Sequence, residues 1–239
     1  EQKIATLEGG VGALCTASGQ AATTFSILTL AAAGDHIVSS SAIYGGSLNL
    51  FAVTLKRLGI EVTFVSPEAS EDEIQAAFRP NTKALFGETI ANPALAVLDI
   101  ERFAAAAHAH GVPLIVDNTF PTPINCRPFE HGADIVVHST TKYIGGHSDT
   151  VGGAAVVSDE VLAGIAGYAA SSCFGVKGMT IRSMSDGLAH LLGLENQSRG
   201  VKVTEAVDGG VNIDLHIAVE HGVNIATVCR SIIGEVRYH

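Results

Sequence analysis

The chain has 239 residues, 47% of them hydrophobic and 16% charged, which is enough to fill the core of one large or two small domains and excludes an intrinsically disordered chain. The formal charge is −10, with 8 basic and 15 acidic residues up to Val157 and 6 and 9 after it. Both parts are acidic and neither carries a Lys/Arg cluster, so nucleic acid is excluded as an expected partner, because phosphate binding needs clustered cations.

In chain order, a short apolar strand is expected at Gly12–Thr16, followed by Ser18-Gly19-Gln20 and an Ala/Leu-rich helix over Ala21–Ala33. Further strands are expected at His36–Ser40, Glu61–Val65, Ala84–Glu88, Pro113–Asp117 and Asp134–His138, with Gly152–Val157 as a seventh. Helices are expected between them at Leu48–Leu58, Asp72–Phe78 and Ile100–His110. Continuous apolar strands such as Leu114-Ile115-Val116 suit a parallel sheet covered on both faces. The expected fold is therefore α/β, a mostly parallel seven-stranded sheet with helices on both faces, whose ligands bind beyond the carboxyl ends of the strands. Polar residues gather at those ends, in Asp117-Asn118-Thr119 and in Ser139-Thr140-Thr141-Lys142.

The pattern changes after Val157. Ser158-Asp159-Glu160 reads as a helix start, and Val161, Leu162, Ile165, Ala166 and Ala169 give it an apolar stripe. Residues 171–200 are rich in Gly and Ser, with a short helix expected around Asp186–Leu192. Val201 and Val203, the turn Asp208-Gly209-Gly210, and the strict alternation of Val211, Ile213, Leu215, Ile217 and Val219 predict an antiparallel hairpin with one wet side. Asn224 then caps a helix whose Ile225, Val228, Ile232 and Val236 share a face. A small α+β module over 158–239 is therefore expected after the α/β part at 1–157.

No apolar run approaches the roughly 18 residues of a bilayer span, and no secretory signal is visible, so a cytoplasmic protein without a membrane span is expected. The chain begins Glu1-Gln2-Lys3, as a piece that starts inside a longer protein would. Cys15, Cys126, Cys173 and Cys229 lie far apart without a C-x-x-C pair, which points to reduced thiols. His108 and His110 stand two apart on an expected helix and do not face one another, so no metal site is expected. Gly9-Gly10-Val11-Gly12 lacks the Lys-Ser/Thr of a phosphate-binding P-loop.

The stretch from Asp134 to Ser148, Asp-Ile-Val-Val-His-Ser-Thr-Thr-Lys-Tyr-Ile-Gly-Gly-His-Ser, places one lysine directly after three hydroxyl residues at a strand end. It resembles the attachment signature of the Cys/Met-metabolism enzymes that depend on pyridoxal 5'-phosphate (PLP), the cystathionine γ-synthase-like branch of fold-type I. The resemblance covers residues 1–157. Within it, Gly87–Leu95 and Val116–Phe120 look most like O-acetylhomoserine sulfhydrylases. By that resemblance Lys142 is the lysine that forms a Schiff base with the cofactor. Asp117 resembles the carboxylate that pairs with the pyridine nitrogen, and Tyr44 the tyrosine that stacks on the ring. Ser18, Gly19 and Gln20 would face the phosphate from a helix N-terminus, with Ser139 and Thr141 adding hydroxyls, and Asn92 would lie near the ring hydroxyl. Residue type alone leaves other roles open: a helix cap for Asp117 and Ser18, a turn aromatic for Tyr44, a turn start for Asn92-Pro93. His147 belongs to the same run and reads as structural.

The resemblance implies a small amino-acid substrate, transfer or elimination chemistry of sulfur amino-acid metabolism, and a homo-oligomer whose sites form between subunits. Family members carry an N-terminal segment that supplies a tyrosine and an arginine to the neighbouring phosphate site, and a C-terminal domain with an arginine for the substrate carboxylate. The sequence as read is expected to lack both. Residues 158–239 are similar instead to the alkaline-shock protein family, through Ser158–Leu162, Arg199–Val203, Val211–Ile225 and the closing helix. The alternative reading is thus an inactive PLP-fold fragment fused to a non-enzymatic envelope-stress module.

Overall fold

The apolar runs of the first part form one sheet. A computed structural model describes residues 1–180, 200–206 and 210–238 and divides the chain into two compact units, Glu1–Ser158 and Asp159–His239. The first contains β1 (Gly12–Thr16), β2 (His36–Ser40), β3 (Glu61–Val65), β4 (Thr82–Glu88), β5 (Leu114–Asp117), β6 (Ile135–His138) and β7 (Gly153–Val157). Their order is β1-β7-β6-β5-β4-β2-β3. The β2–β3, β2–β4, β4–β5 and β5–β6 pairs are parallel, and β7 runs antiparallel to both β6 and β1. The expected mostly parallel seven-stranded sheet is the one observed.

Helices cover both faces, as runs without alternating polar residues require. Successive strand residues point to opposite sides, which separates two cores. Val38, Leu85, Leu114, Val116 and Val136 pack with Ile74 of α4 (Glu71–Ala76) and with Phe103 and Ala107 of α5 (Ile100–Ala109). Ile37, Phe86, Ile115, Ile135 and Val137 pack with Ala22 and Ile27 of α2 (Gly19–Leu30) and with Phe51 and Leu55. Helix starts follow local chemistry: Ser70 and Glu73 form a capping box, and Asp99 accepts the Arg102 N–H at 3.1 Å.

Three local expectations are corrected. The Ala21–Ala33 helix begins two residues earlier, because the Ser18 hydroxyl caps it by accepting the Ala21 N–H at 3.1 Å, and it ends at Leu30 where Ala31 turns extended. The Leu48–Leu58 helix begins as α3 (Gly45–Asn49) and widens into a π-helical stretch at Leu50–Leu55, which seats Phe51 and Leu55 in the core. A helix not anticipated, α1 (Gln2–Glu8), precedes β1 and buries Glu8. Short segments α6 (Thr122–Asn125) and a 3-10 turn (Pro128–His131) link β5 to β6.

The second unit contains α7 (Asp159–Ser171), β8 (Val176–Met179), β9 (Val201–Glu205), β10 (Val211–Leu215), β11 (Ile217–Val219) and α8 (Ile225–Tyr238). Its core gathers Ala170, Cys173, Val228 and Ile232, with Leu215, Ile217 and Val236 packed against them. The expected hairpin exists as β9–β10, but the alternating run does not continue in it. It breaks at His216, whose N–H donates to Gly200 and whose carbonyl accepts the Thr180 N–H, both at 2.8 Å. β11 then pairs with β8 instead. Alternation specifies a face, not a partner, so the sequence could not show the exchange. Asn224 does cap α8, accepting the Thr227 N–H at 3.2 Å, but Ile225 lies off the apolar stripe and is 61% exposed. The helix expected at Asp186–Leu192 and the turn residues Asp208 and Gly209 lie outside the described residues. Among the described residues, no helix is long and apolar enough to cross a membrane. The four cysteines are free thiols.

Candidate active site

The parallel strands end in polar residues, and the loops beyond them fold around one cavity of about 840 Å³. β4 delivers Glu88, β5 delivers Asp117, and β6 leads into Ser139, Thr141 and Lys142. Tyr44 follows β2, Asn92 follows β4, and Ser18-Gly19-Gln20 joins β1 to α2. Ser18, Gly19, Gln20, Tyr44, Asn92, Asp117, Ser139, Thr141 and Lys142 all line the cavity, so the structure brings together every site residue expected from sequence.

At one wall, α2 points its N-terminus into the cavity. Ser18 caps the Ala21 N–H, and the Ser18 carbonyl accepts the Ala22 N–H, which leaves the Gly19 and Gln20 N–H groups without intrahelical acceptors. A Cβ on Gly19 would stand 2.6 Å from the Ser139 Cβ, so glycine is what lets this turn approach the Ser139 loop. The Ser139 N–H donates to the Thr119 hydroxyl at 2.8 Å. The Thr141 hydroxyl is turned to the main chain, donating to the Gly152 carbonyl at 3.2 Å and accepting its N–H at 3.0 Å, which ties the lysine loop to the strand entering β7.

The ends of β4 and β5 bring two acids to the cavity. Asp117 and Glu88 are register partners on neighbouring strands. Burial pushes the Asp117 carboxyl above its ordinary range, against the opposing pull of Thr119, whose N–H donates to it at 3.0 Å, and of His138. Glu88 is 5% exposed, and burial together with the Asp117 charge pushes it up to about 8. The Tyr44 N–H, donating at 2.5 Å, and the main chain of Asn92 oppose that rise. Tyr44 stands half exposed at the mouth, and Phe120 meets Tyr143 edge-on beside Lys142.

Sequence reasoning missed Glu88 and the pair behind Asp117. His138 Nε2 bonds Glu8 Oε1, which also accepts the Asn118 amide at 3.0 Å, and Asn118 meets the Thr89 hydroxyl at 3.0 Å. Glu8 and His138 are both fully buried and stand 130 residues apart in the chain, so no local pattern could have paired them. Glu88 sits inside the Gly87–Leu95 run, where a buried acid ending an apolar strand was the available signal.

Comparison with known proteins decides the family. The family model described as Cys/Met metabolism PLP-dependent enzyme matches residues 1–179, well over half of the chain. The chain belongs to this family. Among PLP-dependent relatives, the O-acetyl-L-homoserine sulfhydrylase of Corynebacterium glutamicum is 56% identical over 153 residues, which cover 64% of this chain and 35% of that protein. The homocysteine/cysteine synthase of Saccharomyces cerevisiae is 51% identical over 159 residues, 66% of this chain and 36% of that protein. The L-methionine gamma-lyase of Porphyromonas gingivalis is 42% identical over 206 residues, 86% of this chain and 49% of that protein. A solved structure described as an O-acetylhomoserine (thiol)-lyase from Campylobacter jejuni, containing N'-pyridoxyl-lysine-5'-monophosphate, aligns with a TM-score of 0.66 at 38% identity, over 67% of this chain and 39% of that one. The chain thus spans just over a third of the first two relatives, 35% and 36%. A second model, that of the alkaline-shock protein family with cell envelope-related function, matches residues 147–239 and overlaps the first over 147–179.

Proposed function

We propose that residues 1–158 build the PLP-holding part of an enzyme that replaces or eliminates the γ-substituent of a small amino acid. O-acetylhomoserine and sulfide, giving homocysteine and acetate, are the favoured pair. The convergence of Lys142, Asp117, Tyr44 and the Ser18–Gln20 turn on one cavity carries this reading.

The donor set fits the cofactor. The Gly19 and Gln20 N–H groups and the Ser139 hydroxyl would hold the phosphate, in a cradle that a side chain on Gly19 would fill. Asp117 is a partly buried carboxyl facing the cavity, and the ring nitrogen is the group on which it would keep a proton. Tyr44 would cover a ring face, and Asn92 would meet the ring hydroxyl. When bound, PLP supplies the electron sink for negative charge at the substrate Cα. Lys142 Nζ would hold the cofactor and move the proton at that carbon. Steady-state acetate release from O-acetylhomoserine plus sulfide is expected of the full chain and not of Lys142→Ala. Equal release from both would overturn the assignment.

The same reading carries a cytoplasmic homo-oligomer, which light scattering of the purified chain would test. One observation favours a second reading. Asp159–His239 has its own apolar core and lies within the alkaline-shock match, which supports a reading of it as a non-catalytic module fused to an inactive fragment. Measurable turnover would exclude that reading.

A further inference from the structure

Glu88 has no part in the site as read from the sequence, yet three of the residues assigned there meet on it. It ends β4 directly beside Asp117 on β5. Its Oε2 accepts the Tyr44 N–H at 2.5 Å from a loop 44 residues away, and the main chain of Asn92, in the loop that follows β4, acts on the same carboxyl and favours its charge. The side chain is 5% exposed, so these interactions are shielded from water. The Tyr44 carbonyl accepts the Leu48 N–H at 2.9 Å as the cap of α3, and the Tyr44 N–H, outside the helix, is left for Glu88. Gln20 adds a second tie to the Tyr44 loop, donating to the Gly46 carbonyl at 3.3 Å.

We infer that Glu88 is a positioning residue, a clamp that fixes the Tyr44 loop and the Asn92 loop to the end of β4 and so sets the aromatic ring and the amide at their places on the cofactor. This rests on the PLP reading of the cavity. The clamp itself exists without cofactor, because the bonds join parts of the chain. Reach matters more than charge in such a device. Glu88→Gln keeps the length and an accepting oxygen, whereas Glu88→Asp keeps the charge and is one methylene short.

The test has two arms on the full chain. In cofactor-free protein, hydrogen–deuterium exchange at the Tyr44 and Asn92 amides is read for wild type, Glu88→Gln, Glu88→Asp and Glu88→Ala. In the second arm, PLP affinity is read by absorbance titration, with the melting temperature followed to separate positioning from loss of fold. Fast exchange at both amides and affinity weaker by about tenfold or more are expected for Asp and Ala, the effect of losing buried hydrogen bonds to a carboxyl. Gln is expected to stay close to wild type in both arms. Wild-type exchange and affinity in Glu88→Asp would overturn the inference, and so would a Gln variant that loses as much as Asp. Loosened amides with unchanged affinity would overturn the positioning role. If wild type itself takes no PLP, the reading of the cavity fails, and the exchange arm alone then upholds or overturns the clamp. If the Ala variant does not fold, the Gln–Asp contrast decides.

Discussion

Two buried titratable residues of the first unit affect stability with opposite signs over overlapping pH ranges. Glu88 keeps its proton in the native state up to about 8, whereas the unfolded carboxyl gives it up near 4.5. The native state therefore binds more protons between these values, and the Glu88 contribution to the stability of the cofactor-free protein falls as pH rises from 4.5 to about 8 and levels off above. Urea midpoints measured across that range should show a shallower decline in Glu88→Gln, and an unchanged decline would contradict the assignment. Asp117, also pushed up by burial, adds to the same slope. His36 is the reverse case. Its ring bonds the Thr82 and Thr63 hydroxyls at 2.8 and 2.9 Å, and burial, aided by Arg79, lowers it from 6.5 to about 4. Here the unfolded state binds more protons, so the His36 contribution is lost as pH falls from 6.5 to about 4 and offsets the Glu88 slope between 4.5 and 6.5. Replacing His36 with Gln should remove that offset, so that the decline with rising pH steepens between 4.5 and 6.5. At this scale, Lys142, Asp117 and Ser139 were legible because their signature is contiguous or lies at a plain strand end. Glu8, His138 and the role of Glu88 were not, because each depends on a partner brought from a distant segment.

At the scale of elements, the start of α2 joins stability to site geometry. Ser18→Ala removes its cap and should cost about 1 kcal/mol in urea unfolding. Gly19→Ala places a methyl 2.6 Å from the Ser139 Cβ and should push the turn away from the lysine loop. Its signature is weakened PLP binding in a protein that still folds, and wild-type affinity would contradict the cradle. Phe103, fully buried on α5, has no site role, and Phe103→Ala should cost about 3–5 kcal/mol while leaving the cavity residues in place. Strand positions of the first unit were readable to within two residues because apolar runs and turn residues mark them, whereas β8 (Val176–Met179), in a Gly- and Ser-rich stretch, was not anticipated. The π-helical widening at Leu50–Leu55 was not, because it answers to the packing of Phe51 against Phe86, rings 4.9 Å apart, and not to local propensity. The exchange of partners at His216 escaped for the same reason.

For the whole molecule, the change of pattern near Val157 corresponds to the division between the two compact units at Ser158 and Asp159. The family matches overlap across that line, over 147–179, so similarity to PLP-dependent enzymes extends into α7 and β8. The sequence showed two styles of chain but not where one family's pattern yields to the other, because α7 offers an apolar stripe that either pattern would accept. The central claim is that the site assembles in this chain. The purified chain should be mixed with PLP, reduced with borohydride and peptide-mapped. A visible absorption band and the pyridoxyl label on Lys142 are predicted, both lost in Lys142→Ala. A label scattered over exposed lysines such as Lys56 and Lys83, or no label, would contradict it.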